Sequence, residues 1–404
     1  MEHLQTLNLY RTHVTNSGLA KLQSLKELTN LDLRYSRVTS NGVESITAAL
    51  HQAKVQFAGA SPLHAKTAAA PSDGSEQAIA AWIKALGGKT VYTGGHVTAV
   101  DLSSTSVSDA QLENLVKLPS LEKLDLQTTQ VSDLGLSSIR QIHSLVELSL
   151  SNTTVGDSGV AQLATLPRLR VLLLAGTLVE GSGLGHLSDL TELRKLDLSG
   201  AKVDDAGVAS LSKITGLTNL RLNYADLTEA GFANLKNLKN LETLNVSSTG
   251  IDDKGLKDLA GLTNLRNLYL NFARITDKGM SVLDTLANLE RIELLRTRIA
   301  SAGVEPLSKL KHLTAIRLDY TPIDDKAIDA LQTLPQLREL SLDATGITDK
   351  GAQALQNFTA LKSLNLYHTL VTEKGEQALK IALPACKIVF DRDSALPTRR
   401  SKSS

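Results

Sequence analysis

Hydrophobic and polar positions repeat every 24 residues through most of the chain, without an insertion or a deletion. If the repeating polar position is taken as an anchor, apolar residues stand 8, 5 and 3 places before it and 2, 7 and 10 places after it. Gly usually stands 6 places after the anchor. Self-similarity at a fixed period is typical of solenoid proteins. The twelve anchors are Thr105, Thr129, Thr153, Thr177, Ala201, Ala225, Thr249, Ala273, Thr297, Thr321, Thr345 and Thr369.

One unit, residues 121–142, shows which elements the pattern predicts. Leu124-Asp125-Leu126 alternates apolar and polar residues, which predicts a short strand with one buried face. Leu136, Ile139 and Ile142 then recur every three residues, which predicts one face of a short helix. Ser132-Asp133 stands where a helix N-cap is expected. Because no unit can bury its apolar edge alone, we expect stacked coils with a parallel sheet on the concave side and helices outside.

The anchor column itself has a structural interpretation. A hydroxyl at the exit of a strand can donate a hydrogen bond to the backbone of the following turn. Three anchors are Ala, so this hydrogen bond is not required in every coil.

The frame L-x-x-L-x-L-x-x-T-x-V-x-D-x-G-L-x-x-L-x-x-L resembles the leucine-rich repeat, with Thr where many such repeats carry Asn. It is most similar to the short 24-residue form of bacterial, planctomycete-like proteins. The resemblance implies an α/β fold, a right-handed α/β horseshoe solenoid with a parallel concave sheet and short convex helices. The family is defined by its core rather than by its ligand, so the resemblance indicates the function only broadly.

Four segments are predicted along the chain. Residues 1–57 hold two coils, anchored at Thr12 and Ser36, and a C-terminal cap, because 54–57 and 387–390 follow their last anchors at the same distance. Residues 58–74 are rich in Ala, Pro and Ser, which predicts a linker. Residues 75–390 form the twelve-coil solenoid, with a helix and hairpin over 75–97 as its N-terminal cap. Residues 391–404 are polar and aperiodic, which predicts a disordered tail.

Two coils are fewer than the three or so that a repeat array needs, and the first coil has no cap before its apolar edge. We therefore expect residues 1–57 to be the least stable folded part. Three explanations stay open for this segment: the natural start precedes Met1, the segment is a degenerate remnant, or it docks on something else.

Composition narrows the classes of partner. The chain has 43 basic and 42 acidic residues, so its charge does not favour nucleic acid or a membrane surface. No apolar run is long enough to span a membrane, and no signal segment is visible. A cytoplasmic location is therefore expected, with no nucleic-acid or membrane partner; the oligomeric state stays open.

No motif for catalysis, metal or cofactor binding stands out. Gly88-Lys89-Thr90 resembles the end of a phosphate-binding loop, but the required earlier Gly is replaced by Ile83. Three acidic pairs resemble calcium ligands, but all fall in the helix-entry column, which favours helix capping. We expect no enzyme activity and no cofactor. The pairs are Asp204-Asp205, Asp252-Asp253 and Asp324-Asp325.

The sheet face differs from coil to coil. The residues 6, 4 and 2 places before each anchor, with the residue just before it, are mostly small and polar in early coils and large in most coils from Ala225 onward. Tyr, Arg and Phe are the residues that dominate interface hot spots. The alternative is that they pack on each other across coils. The candidate binding residues are Arg221, Asn223, Tyr224, Tyr269, Asn271, Phe272, Arg291, Glu293, Arg296, Arg317, Asp319, Tyr320, Tyr367 and His368.

The sequence therefore predicts a non-enzymatic protein-interaction scaffold that binds a protein or peptide on its concave face. Two alternatives remain open. The chain is a targeting or recognition module of a larger enzyme or signalling protein, or its aromatic patch binds carbohydrate.

Overall fold

The computed structural model describes residues 4–57, apart from 10, 11, 13, 15, 35, 37 and 39, and residues 70–391. The chain forms two compact units: Met1–Val179 with His186–Leu193, and Glu180–Gly185 with Arg194–Ser404. Most of the predicted linker and almost all of the predicted tail lie outside the described residues. The division of the chain into four segments stays a prediction.

The first unit begins with a parallel sheet whose strands are paired in chain order. Leu7 pairs with Leu31 and Leu31 pairs with Val55, each 24 residues further along. The helices that follow the first two strands pack on the same small core, in which Leu28 and Leu33 are buried. The elements are β1 (Thr6–Asn8), α1 (Asn16–Ala20), β2 (Asn30–Asp32), α2 (Ser40–Ala49) and β3 (Lys54–Gln56).

The predicted N-terminal cap is a helix, α3 (Glu76–Ala85), followed by an antiparallel hairpin of β4 (Lys89–Thr93) and β5 (His96–Asp101). The Ser75 side chain accepts a hydrogen bond from the Ala78 amide, which begins the helix. Trp82 is 3% exposed. The Glu76 carboxylate accepts hydrogen bonds from the Val97 amide at 2.6 Å and from His96 at 2.8 Å, so it joins the helix to the hairpin.

After the hairpin, each coil of the first unit adds one parallel strand in register with the strand before it. Val100 pairs with Leu124, and Leu124 pairs with Leu148. Short α-helices or 3₁₀ helices follow these strands. The strands are β6 (Lys123–Asp125), β7 (Glu147–Ser149) and β8 (Val171–Leu173), and the helices are Asp109–Lys117 (3₁₀), α4 (Leu136–Ile139), α5 (Asp157–Gln162) and Leu163–Thr165 (3₁₀).

The second unit continues the same coil through nine strands, which pair in parallel in chain order. The apolar columns of each coil fill its core; Leu268 and Leu270, for example, have no exposed surface. The strands are β9 (Lys195–Asp197), β10 (Asn219–Arg221), β11 (Thr243–Asn245), β12 (Asn267–Tyr269), β13 (Arg291–Glu293), β14 (Ala315–Arg317), β15 (Glu339–Ser341), β16 (Ser363–Leu366) and β17 (Lys387–Phe390).

The segments that connect these strands are α-helical in some coils and 3₁₀-helical in others. The repeating pattern predicted a short helix in each coil but not this difference between coils. A 3₁₀ helix spans Leu184–Asp189, where the two units divide the chain. The others are α6 (Asp205–Leu211), α7 (Glu229–Leu235), α8 (Asp253–Asp258), Leu259–Gly261 (3₁₀), Met280–Thr285 (3₁₀), α9 (Ser301–Val304), Glu305–Lys309 (3₁₀), α10 (Asp325–Leu331), α11 (Asp349–Leu355) and α12 (Glu373–Ala382).

The Thr anchors are buried beneath the strand exits. In all nine of them the hydroxyl donates to the carbonyl oxygen three residues earlier, at 2.5–2.8 Å. Thr12 and Ser36 make the same hydrogen bond in the first sheet. A buried hydroxyl is thereby satisfied within its own turn, and the Ala anchors, such as Ala273 at 3% exposure, fill the same space without a donor.

The acidic residues at the helix entries have two roles, and only one of them was predicted. Asp204, Asp252 and Asp324 cap their own helices, as expected. The second member of each pair instead holds the next coil. Asp325, for example, accepts from the amide and the hydroxyl of Thr348 at 2.8 and 2.7 Å.

The same correction applies to the first unit. Asp133 does not cap its own helix, because its carboxylate accepts from the Gly156 amide of the following coil at 2.6 Å.

These hydrogen bonds between an Asp of one coil and the backbone of the next explain why Gly recurs in each coil. A Cβ at Gly351 would overlap the Asp325 carboxylate, and a Cβ at Gly375 would overlap that of Asp349. Only Gly lets the helix of one coil approach the carboxylate of the coil before it. The predicted fold class, an α/β leucine-rich-repeat solenoid, is thus built from contacts between residues about 24 positions apart.

Candidate functional site

The open face of the sheet in the second unit carries the side chains that the sequence singled out. Within each short strand the central Leu or Ile is buried, and in most strands both flanking residues are partly or fully exposed. Tyr269, Arg291 and Glu293 therefore lie on the open face, where Tyr269 is half-buried.

A second row of side chains stands at the strand exits, one residue before each anchor. We call these twelve positions the exit ridge. All twelve have a positive φ, between 53° and 69°, and ten of them are not Gly. They are Ser104, Thr128, Asn152, Gly176, Gly200, Tyr224, Ser248, Phe272, Arg296, Tyr320, Ala344 and His368.

Hydrogen bonds between coils hold this conformation in place. The Phe272 amide donates to the Leu295 carbonyl at 2.7 Å, and the Arg296 amide donates to the Asp319 carbonyl at 2.9 Å. The left-handed region suits Gly and Asn, and a bulky residue there costs on the order of 1–3 kcal/mol. Ten of the twelve ridge residues are not Gly and five of these ten are bulky, so the strain is a property of the repeated coil backbone. These five are Tyr224, Phe272, Arg296, Tyr320 and His368.

Three consecutive ridge residues form a stack. The guanidinium carbon of Arg296 lies 4.7 Å from the centre of the Tyr320 ring and 5.8 Å from that of the Phe272 ring. Both rings remain accessible, with Phe272 47% and Tyr320 42% exposed. The expected packing across coils and the expected exposed surface therefore occur together at the same residues.

The other arginines of the open face are engaged in ion pairs. Arg221 lies 3.7 Å from Asp197, and Arg291 lies 2.7 Å from Glu339, two coils further along. Arg317 donates to Asp319 at 2.5 Å. The Arg291–Glu339 pair is exposed at both ends and contributes little to stability. All three Arg side chains remain accessible, at 45% for Arg221, 34% for Arg291 and 45% for Arg317.

Asp319 corrects one expectation. Only 1% of the Asp319 surface is exposed, so this residue is not accessible to a partner. Its carboxylate accepts from Arg317 and from the Asp343 amide at 2.9 Å, which satisfies the buried charge and fixes the next coil. Asp319 therefore supports Arg317 from below.

Asn271 and Asn223 also act within the sheet. The Asn271 side chain accepts from the Leu295 amide at 3.0 Å and donates to Glu293 at 2.9 Å. The Asn223 side-chain oxygen Oδ1 accepts from the Ser199 hydroxyl at 2.6 Å. The side-chain amides of Asn271 and Asn223, together with Glu293, thus form hydrogen bonds within the sheet face, beneath the larger side chains.

At the far end of the open face, Tyr367 and His368 pack with ring centres 3.9 Å apart. The His368 ring nitrogen Nδ1 lies 3.1 Å from the Asp343 carboxylate. The sequence did not single out Asp343, because no pattern within one coil shows that its side chain reaches the His368 of the next.

Among the residues that the structure describes, no three His, Cys, Asp or Glu side chains come together as a group that could hold a metal ion. In the same part of the chain, no helix is long and apolar enough to cross a membrane. Lys89 and Thr90, which resembled the end of a phosphate-binding loop, lie in strand β4 instead.

Comparisons with known proteins agree with this architecture. Six segments match the family described as Leucine Rich repeat: residues 117–139, 141–164, 190–212, 237–260, 261–283 and 334–355. No curated protein sequence matches the chain.

Solved structures with the same fold come from distant proteins. An internalin of Listeria monocytogenes is 20% identical with a TM-score of 0.57, over 79% of this chain and 95% of the other. A leucine-rich-repeat protein of Leptospira interrogans is 16% identical with a TM-score of 0.51, over 94% and 96%. The ectodomain of the Arabidopsis receptor kinase HAESA, in complex with a peptide hormone ligand, is 22% identical with a TM-score of 0.52, over 70% and 48%.

The repeated coil, its parallel sheet and its helices define an α/β solenoid. The six matched segments are leucine-rich repeats, and solved leucine-rich-repeat proteins share the fold of this chain.

Proposed function

We propose that this protein is a non-enzymatic recognition scaffold that binds a protein or peptide on the open sheet face between Arg221 and His368. The observation that carries this proposal is the exit ridge. In the second unit its aromatic and Arg residues are exposed, and Tyr224, Phe272 and Tyr320 keep 64%, 47% and 42% of their surfaces accessible. Tyr and Arg are also the residues that contribute most to binding energy in interfaces.

The early coils provide an internal comparison. Their ridge positions are Ser104, Thr128, Asn152 and Gly176, all small, although the backbone is the same. Large residues are therefore not needed to build the coil, and their presence in the second unit favours a role in binding. The HAESA ectodomain, which has the same fold, was solved with a peptide hormone, so this fold is compatible with a peptide ligand.

The test is replacement of Tyr269, Arg296 and Tyr320 together by Ala, followed by affinity capture of partners from the native organism's lysate. A matched control replaces two exposed apolar residues away from this face, Leu134 (76% exposed) and Ile381 (82% exposed), by Ala. We expect the control to capture the same partner as the unchanged protein and the triple variant to lose it, with both variants folded by circular dichroism. Equal recovery with the triple variant would refute the proposal.

Carbohydrate binding is the second candidate, because Tyr224 exposes 64% of its surface and Phe272 47% on the same ridge. Exposed rings offer flat apolar faces to a sugar as well as to a peptide. A glycan array separates the two: binding of defined glycans that is lost in the triple variant would favour carbohydrate as the ligand.

A further inference from the structure

In the exit ridge of the second unit, two small residues interrupt the row of large ones that runs from Tyr224 to His368. Ser248 stands between Tyr224 and Phe272, and Ala344 stands between Tyr320 and His368. Neighbouring strands lie about 4.8 Å apart, so the residues on either side of each small one are separated by about 10 Å. We call these gaps the Ser248 notch and the Ala344 notch.

Arg296 shows what fits between two such neighbours. It occupies the ridge position between Phe272 and Tyr320, and its planar guanidinium group lies 5.8 and 4.7 Å from the two ring centres. Flat groups stack favourably on aromatic rings at about 4.5–7 Å. In the two notches the chain supplies only a hydroxymethyl or a methyl group at the corresponding position.

The notches lie at the two ends of the stack. The Phe272–Arg296–Tyr320 stack fills its own interior, whereas Phe272 and Tyr320 keep 47% and 42% of their surfaces exposed. Tyr224 is 64% exposed beside the Ser248 notch. At the Ala344 notch, His368 is held by Asp343 and packs on Tyr367, so the wall opposite Tyr320 is fixed in position.

We propose that the ligand is an extended peptide that inserts one planar side chain, aromatic or guanidinium, into each notch. Each inserted group continues the stack as Arg296 does within the chain. This inference rests on the proposed function and adds the chemistry of the partner to it.

The repeat also sets the spacing of the two side chains. Ser248 and Ala344 are four coils apart, which corresponds to about 19 Å along the sheet. An extended peptide rises about 3.3 Å per residue, so the two planar side chains stand about six residues apart in the ligand. An even spacing also places both on the same side of an extended strand.

The experiment uses a random dodecapeptide phage library selected in parallel on the full chain and on the triple Ala variant of Tyr269, Arg296 and Tyr320. We expect enriched peptides to carry two planar side chains about six positions apart. Enrichment without such a pair, or no enrichment above the triple variant, would overturn the inference.

Two variants then fill the notches, and one matched control fills an equivalent place outside them. Ser248→Tyr and Ala344→Tyr introduce a ring at a φ of 56° and 55°, and Thr128→Tyr does so at 57° in the first unit. For a selected peptide measured by fluorescence polarisation, each notch variant should weaken binding at least tenfold, and Thr128→Tyr should change it less than twofold.

The failure of this inference is distinguishable from failure of the proposed function. If the triple variant loses the peptide while both notch variants bind it as tightly as the unchanged chain, the peptide binds the open face but not the notches. If the triple variant also binds normally, both proposals are wrong.

Discussion

The guanidinium carbon of Arg296 lies 4.7 Å from the centre of the Tyr320 ring, one coil further along the exit ridge. These residues are 24 positions apart, and both have a positive φ. The contact exists because equivalent positions of successive coils lie next to each other. The two side chains pack on each other and are also exposed to solvent, so the contribution of the contact to stability and its role in binding can both be measured.

We expect a double-mutant cycle of Arg296→Ala and Tyr320→Ala to give a coupling energy of about 0.5–1 kcal/mol, the range for an exposed cation–π contact. Amide exchange at Ile292 and Ile316, in the strands of these two coils, provides the measurement. Tyr224→Ala is the control, because Tyr224 lies three coils from Arg296 and its effect should add to that of Arg296→Ala. Additive effects of Arg296→Ala and Tyr320→Ala would contradict the stack.

Removal of one anchor hydroxyl should cost about 1 kcal/mol. Thr297→Val keeps the shape of the side chain but leaves the buried Leu294 carbonyl without the hydroxyl donor that lies 2.8 Å away. Thr285→Val removes an exposed hydroxyl and should stay within about 0.5 kcal/mol of the unchanged protein. Urea unfolding of the two variants under identical conditions makes the comparison, and equal losses would show that the anchor hydrogen bond is dispensable.

Replacement of a Gly in the repeated Gly column should destabilise the fold where a carboxylate of the preceding coil lies against that Gly. Gly351→Ala forces a Cβ against Asp325, which Thr348 holds by two hydrogen bonds, so we expect a loss of about 1–3 kcal/mol. Gly185→Ala meets no atom closer than 3.9 Å and should be neutral or stabilising. Thermal unfolding checks both. Combining Gly351→Ala with Asp325→Ala should cost less than the sum of the single changes.

The N-terminal cap should weaken in acid. Hydrogen bonding from His96, and then from the Val97 amide, lowers the pKa of Glu76 below its ordinary value of 4.5. A carboxyl group whose pKa is lower in the folded state stabilises fully above the unfolded pKa, and this contribution is lost as the pH falls through the folded pKa. The loss therefore occurs below pH 4.5.

The fluorescence of Trp82, the only Trp in the chain, reports the unfolding of this helix. Glu76→Gln should be less stable than the unchanged protein at neutral pH, and the difference should shrink below pH 4.5. A constant difference down to pH 2 would show that the carboxylate charge is unimportant.

Residues 1–57 should exchange their amide hydrogens faster than the middle of the second unit. Leu4, Leu7, Leu9 and Val14 are only partly buried against their core, whereas Leu268 and Leu270 are completely buried. Lower local burial gives a lower free energy of opening. Exchange at Leu31 as slow as at Leu268 would show that this expectation is wrong.

The sequence by itself determined the coil. The 24-residue period, the Leu columns and the buried Thr positions are properties of residues within one unit, because strand alternation and helix spacing are local. For this reason the register of 24 positions between paired strands, as in Leu244 with Leu268, could be predicted from the sequence. The candidate face could also be predicted, since alternate residues of a strand point to the same side.

Only the tertiary structure decided which residues of other coils each side chain contacts. Asp319 accepts from the Asp343 amide of the next coil, Asp325 holds Thr348 of the next coil, and Arg296 lies between two rings. These relationships depend on how one coil sits on the next, and no pattern inside a coil contains that distance. The positive φ of the exit ridge has the same origin, because hydrogen bonds from the neighbouring coil hold Tyr and Phe in a conformation that their own sequence disfavours.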